Sequence, residues 1–357
     1  MIAIVLAYAR SFLRDRTGCV MTLVLPPLLY LVFGMIFTAD IQKEIRSTVH
    51  VLDTVRNDRS AAVVKGLGAI YGDGLHAARD TRDIEESVGS GLSDAGLVIR
   101  GTPDAPLSFD IVRGAEDPLT VMTLAGQASG IVDRMHDRKF EAARVSHRLV
   151  GPEGDYQRTY LAGTVSTLFV FFAAMHGAMI GLDDRRSGLQ ARLVLAAGGM
   201  GRIVGARIVW LTIVGLLQTL CVFAVAYRYV PVADHLSGLA WLVTATAVAF
   251  AAGGIAMALC AICRSREQAQ PFSTALFLLL AALGGTMFPS YLMPSDIQEW
   301  SWVTPHAWAV ECYRLVVWQG DISRNVFVGW AVLATVGFGG TVFAMVSEGY
   351  KGSWSAP

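Results

Sequence analysis

The chain has 357 residues, 54% of them hydrophobic and 16% charged, against about 25% charged residues in an ordinary soluble domain. A water-soluble core cannot absorb that much apolar side chain, so a purely soluble protein is excluded. Basic and acidic residues balance at 29 each, which removes any electrostatic case for a nucleic-acid partner and leaves the placement of charge as the informative quantity.

Residues 4–16 form an amphipathic stretch with Arg10, Arg14 and Arg16 on its polar side, read as an interfacial helix that leads into the apolar run 20–38. A signal peptide is the alternative. It is disfavoured because the run is too long, no small-residue cleavage site follows it, and Pro26 and Pro27 kink a helix that its neighbours must support.

Residues 40–159 are polar and contain no cysteine. Their pattern predicts an extramembrane α/β domain: strands over 48–52, 95–99 and 107–112, a helix over 60–67, and a long amphipathic helix within 118–150. Asp53, Asp58, Gly72, Asp73, Gly74, Gly101 and Pro103 supply turns. Asp133, Asp137 and Glu141 share a helix face near His136. They suggest a cation site, but a solvated charged face is the plainer reading.

Five further apolar runs follow, at 160–182, 208–230, 239–262, 272–288 and 326–346. Each suits a bilayer crossing except 272–288, which is short and is not expected to cross simply. Arg185, Arg186, Arg192, Arg202 and Arg207 follow the second span, and Arg264 and Arg266 follow the fourth. By the positive-inside rule these loops and both termini are cytoplasmic and the large domain lies outside. The expected fold is an α-helical polytopic membrane protein with six membrane helices, an N-terminal interfacial helix, re-entrant outer helices and an inserted α/β extracytoplasmic domain. Its parts are 1–39, 40–159 and 160–357.

Motifs for chemistry within the chain are scarce. No Gly-Lys dipeptide occurs anywhere, so there is no phosphate-binding P-loop, and no H-E-x-x-H or G-x-S-x-G is present. Gly199, Gly201 and Gly205 miss the dinucleotide spacing. Cys260 and Cys263 have redox or metal spacing but lie in an apolar helix without a second pair, which favours packing. His176, flanked by Met175 and Met179, is a pathway candidate at membrane depth. The competing reading is a neutral imidazole bonded between helices, beside Gly177 and Gly181, whose spacing allows close helix approach. Glu311 and Arg314 stand i, i+3 in an otherwise apolar segment with Trp308 and Trp318, a spacing that lets the pair satisfy itself at an interface crowded with tryptophan.

Three stretches resemble one family, the type-2 permeases of ATP-binding-cassette exporters, in the long-outside-loop branch that includes drug exporters. The first runs from Leu182 through Asp183, Asp184, Arg185, Arg186, Gly188 and Leu189 to Arg207; the aspartates stand where the family usually has glutamate. The second contains Gly284, Gly285, Pro289, Pro294, Thr304, Pro305 and Gly320. The third is the outside domain around Val49–Asp53, residues 94–99 and residues 114–118.

The resemblance implies the membrane-spanning subunit of an exporter in the bacterial inner membrane, moving a hydrophobic or amphipathic molecule such as a drug, a lipid or a natural product outward. It implies no cofactor in this chain, with ATP and Mg bound by a separate ATPase subunit. It further implies a second permease copy or sister permease and a periplasmic adaptor as partners. On that analogy Asp183, Asp184, Arg185, Arg186, Gly188 and Leu189 couple to the ATPase, and Gly284, Gly285, Pro289, Pro294, Thr304, Pro305, Glu311 and Arg314 form the outer gate. The alternative is a membrane receptor or sensor with an outside ligand-binding domain. A secondary transporter is a third reading, but the spans show no internal repeat.

Overall fold

The computed structural model describes residues 1–39, 48–90, 92–101, 107–113, 124, 127, 128, 131, 144–149, 156–197, 199–228, 235–287 and 293–353. The chain divides into a helical unit (residues 1–34, 158–228 and 232–357) and a second unit formed chiefly by residues 35–157.

In the helical unit, α1 (Ile2–Arg14) ends at Asp15, whose carboxylate accepts the Gly18 amide at 2.9 Å and caps the short α2 (Arg16–Cys19). One π-helical turn, Val20–Val24, joins α2 to α3 (Leu25–Ala39), where Pro26 and Pro27 sit in the first turn. The prolines follow directly on that turn, where the Leu25 amide bonds the Val20 carbonyl five residues back, the local adjustment by which a helix accommodates missing donors.

The rest of the bundle comprises α6 (Tyr156–Ala178), α7 (Ile180–Arg186), α8 (Leu189–Ala197), α9 (Met200–Ala226) and α10 (His235–Ile262), then α11 (Arg266–Leu283), α12 (Ser295–Ser301), α13 (Pro305–Tyr313) and α14 (Arg324–Ser353). Among the described residues, five stretches are long and apolar enough to cross a bilayer: Arg16–Met35, Arg158–Arg186, Met200–Ala226, Ser237–Ile262 and Arg324–Glu348. Helix α11 is not among them, because Arg266, Glu267, Gln268 and Gln270 make its first turns polar. Ile213, Leu217, Leu220, Phe338 and Val342 point outward, as expected where lipid replaces water as the solvent.

Helices α10 and α14 meet backbone to backbone. A Cβ on Gly254 would lie 2.7 Å from the Gly337 Cα, and one on Gly340 would collide with the Gly254 carbonyl. Small residues allow this approach, which replaces the hydrophobic drive that lipid does not supply. Gly177 and Gly181 serve α9 in the same way. A Cβ at Gly177 would reach Leu211 Cδ2 at 2.6 Å and one at Gly181 would reach Arg207 Nη1 at 2.7 Å.

The second unit holds a five-stranded sheet made of β1 (Val49–Asp53), β2 (Leu75–Ala77), β3 (Ala95–Arg100), β4 (Ser108–Arg113) and β5 (Arg144–Leu149), in the order β2-β1-β3-β4-β5. The β1–β2, β1–β3 and β4–β5 pairs are parallel and β3–β4 is antiparallel. One face buries Val49, Val51, Leu97, Phe109 and Ile111 under α4 (Asp58–Tyr71) and the side chains of Leu124, Ala128 and Ile131. The other packs Val98 and Val112 against Ile84 and Val88 of α5 (Thr81–Gly89). Asn57 and Ser60 form a reciprocal capping box that starts α4, and Asp53 accepts the Ser60 hydroxyl at 2.6 Å.

One sequence expectation needs correction here. The helix expected to lie within 118–150 does not extend to its end, because Arg144–Leu149 pairs with β4 as a strand; the alternation of Val145, His147 and Leu149 carries that signal. Helix α5 and strand β2 were not foreseen. Asp133, His136, Asp137 and Glu141 lie outside the described residues.

Candidate coupling face and inner-end network

The basic loop after the second span is a helix–turn–helix rather than one continuous helix. Gly188 at φ +70° breaks it between α7 and α8, a conformation that a side chain would disfavour. Of the expected coupling residues, Asp183, Arg186, Gly188 and Leu189 are exposed. Arg186 holds both carboxylate oxygens of Glu267, at 3.2 and 2.9 Å, and Arg266 reaches Asp183 at 2.6 Å. Two ion pairs thus tie α7 to the first turn of α11. The Arg186 guanidinium, aided by the Ser265 hydroxyl, holds the Glu267 carboxyl down to about 2.

Asp184 and Arg185 face the other way, which corrects their expected place on the docking surface. Arg185 donates to the Cys260 carbonyl at 2.6 Å. Asp184 is 7% exposed and accepts from Arg207 of α9 at 2.9 Å. Arg207 also donates to the Tyr8 hydroxyl at 3.0 Å and stands 3.6 Å from Glu348 of α14. Gln190 of α8 donates to Glu348 at 3.2 Å, and Arg185 lies 3.9 Å from it. One buried cation therefore gathers α1, α7, α9 and α14. Charges this deep persist only when paired and hydrogen-bonded.

In the sequence, Arg207 carries a topological signal and closes the first family-like stretch, whereas Tyr8, Gln190 and Glu348 are not singled out. A lone carboxylate closing the apolar stretch Arg324–Glu348 was the available clue.

His176 is exposed, whereas Met175 and Met179 are buried. His176 lines a cavity of about 300 Å³ together with Phe12, Asp15, Asp183, Trp210 and Arg266. The structure thus separates the three residues grouped as a pathway.

In the segment after α11, Thr304 caps α13 by accepting the Ala307 amide at 3.2 Å, with Pro305 as its first helical residue. Pro294 precedes α12 as its cap residue. Gly284 ends α11, and a Cβ there would meet Thr304 Oγ1 and His306 Cβ at 2.5 Å. Gly285, at φ +80°, presents its carbonyl to the Tyr160 hydroxyl at 2.7 Å. Pro289 lies outside the described residues. Glu311 and Arg314 form a bidentate pair, 2.7 Å on each arm, where α13 passes into the π-helical turn Arg314–Gln319. His306 is fully buried and stacks on Phe171 with ring centres 4.1 Å apart.

Cys260 and Cys263 are buried free thiols, and no cluster of three metal-ligating side chains occurs among the described residues.

Spanning-length helices with apolar outer faces and glycine-mediated close packing define a polytopic integral membrane protein. The chain belongs to the ABC-2 family of transporter proteins, whose family profile ("ABC-2 family transporter protein") matches residues 16–346. It is therefore a permease subunit of an ATP-binding-cassette transporter. No curated protein matches the chain.

Proposed function

We propose that this permease works as the membrane half of an exporter and moves a hydrophobic or amphipathic molecule outward on ATP hydrolysed by a separate subunit. The observation that carries the reading is the exposed surface of α7 and α8, braced to α11 by Arg186–Glu267 and Asp183–Arg266. A braced surface passes on a push that a loose loop would dissipate. The lack of any Gly-Lys dipeptide in the sequence supports placing ATP and Mg on a partner. The Arg-rich short loops support a cytoplasmic position for this face and for both termini.

In this reading Asp183, Arg186, Gly188 and Leu189 meet the ATPase, while Asp184 and Arg185 fix the angle of α7 from below. Two permeases, identical or sister, enclose the path. The segment from Gly284 to Gly320 closes its outer end, and a periplasmic adaptor is a further partner.

The test is co-purification of the tagged permease with its ATPase, followed by reconstitution into vesicles. Crosslinking from a cysteine at position 186 to the ATPase, together with ATP-dependent movement of a fluorescent amphiphile, is the expected result. An ATPase that copurifies without crosslinking and without driving transport would overturn the proposal.

A further inference from the structure

The cavity beside His176 is built from the end of α1 with Asp15, Thr22 of the π-helical turn, the last turns of α6, the start of α7, one face of α9 and Arg266 of α11. Its volume, about 300 Å³, matches the lower end of small-molecule sites. Phe12 and Trp210 meet edge to face with ring centres 5.8 Å apart, and Leu211 and Val214 continue the apolar wall. Three charged side chains line it: Asp15, Asp183 and Arg266. Arg266 is committed to Asp183 at 2.6 Å. Asp15 accepts the Gly18 amide and has no ion pair among the described residues. The wall therefore carries one uncompensated negative charge beside two aromatic rings. The carboxylate favours a cation, and the apolar wall favours an apolar body attached to it.

We propose that this cavity binds a monovalent cationic amphiphile, with its charged centre at Asp15 and its apolar body against Phe12, Trp210, Leu211 and Val214. The proposal deepens the exporter reading, on which it rests for the claim that the bound molecule is cargo. Binding itself needs neither ATP nor a partner. The lining joins the Asp15 carboxylate to apolar side chains of α1 and α9, so a molecule with a cationic head and an apolar body meets both at once.

The test uses two ions of nearly equal shape and opposite charge, tetraphenylphosphonium and tetraphenylborate, bound at equilibrium to the purified full-length permease in detergent. The cation is expected to bind about tenfold more tightly. Asp15→Asn keeps the helix cap, since Asn caps as well as Asp, and is expected to abolish that preference without moving the thermal midpoint. Asp15→Glu should restore it. Equal binding of the two ions by the unaltered protein, or a preference that survives Asp15→Asn, overturns the proposal. If Asp15→Asn fails to fold, the comparison of the two ions on the unaltered protein still decides. ATP-driven transport is scored separately in vesicles with the ATPase. A selective site without transport sinks the exporter reading alone, and transport of both ions alike sinks the site alone.

Discussion

The guanidinium of Arg207 lies 2.9 Å from the carboxylate of Asp184, two helices and 23 residues apart, with side-chain exposures of 7% and 9%. Tyr8 and Glu348 complete the surroundings of the same cation. Removing one member of a buried pair strands the other charge, at a cost of about 3–5 kcal/mol. Arg207→Gln and Asp184→Asn should each lower the thermal midpoint of the purified permease sharply. The double variant should lose less than the sum of the two. Strict additivity would show that the pair is not a working unit.

The ion pairs that brace α7 to α11 are exposed and should contribute to coupling rather than to folding. Arg186→Glu should depress transport-linked ATPase activity severalfold at an unchanged thermal midpoint, and adding Glu267→Arg should restore it. Failure of the exchanged pair to rescue would assign the defect to lost contact with the ATPase instead. Glu267 has a depressed pKa, so the contribution of the pair is present above the ordinary value of 4.5 and fades only as pH falls through about 2. Coupling should show no step from this pair between about pH 8 and pH 5.

Helix contact through glycine makes a second discriminating pair. Gly254→Ala places a methyl against the Gly337 backbone and should cost about 1–3 kcal/mol through overpacking. At Gly339 a Cβ meets nothing within 4 Å, so Gly339→Ala should stay within about 1 kcal/mol of the unaltered protein. Parallel thermal melts in detergent suffice, and equal losses at the two positions would refute the close crossing.

The outer pair supports another comparison. Unpaired charge at membrane depth costs about 2–3 kcal/mol on insertion scales, less toward the interface. Glu311→Ala, which removes the bidentate partner of Arg314, should therefore harm stability and transport-linked ATPase activity more than Glu311→Gln combined with Arg314→Gln. A silent single variant would remove the pair from any part in the gate.

In the strand domain, His50 of β1 sits beside His76 of β2, ring centres 5.3 Å apart, with its Nδ1 against the Ser93 hydroxyl. Burial pushes its pKa below 6.5 and His76 adds to this, while Asp83 opposes. The unfolded chain then binds the proton more tightly than the folded one. The His50 contribution is therefore complete above the ordinary value and is lost as pH falls below it. Hydrogen exchange of β1 and β2 in the full-length protein, corrected for intrinsic rates, should show protection falling from about pH 7.5 to about pH 5.5. His50→Gln should flatten that dependence.

The apolar runs were readable because lipid demands long uninterrupted hydrophobic helices, strand β1 was readable from alternation, and β3 and β4 from short apolar runs between turns. The limits were equally physical. Whether Asp184 faces a partner or a neighbouring helix depends on the rotation of α7, and composition does not encode that angle. Gly254 and Gly340 gave no signal alone, since a glycine matters only when another backbone arrives opposite it. Strand β5 was masked by the helical pattern that precedes it. The inward turn of Glu348 was the most recoverable miss, because a single acid at the end of an apolar span needs a cation, and Arg207 was already in view.

The Arg207 network also sets an order of assembly. Tyr8 and Asp184 leave the ribosome before Arg207, so the guanidinium enters the membrane with a counter-ion already in place. Glu348 is translated last of the four. Until it arrives the cation holds a single carboxylate, and the docking of α14 supplies the second, so the last spanning helix to be inserted is also the one that completes the charge pairing of this buried guanidinium.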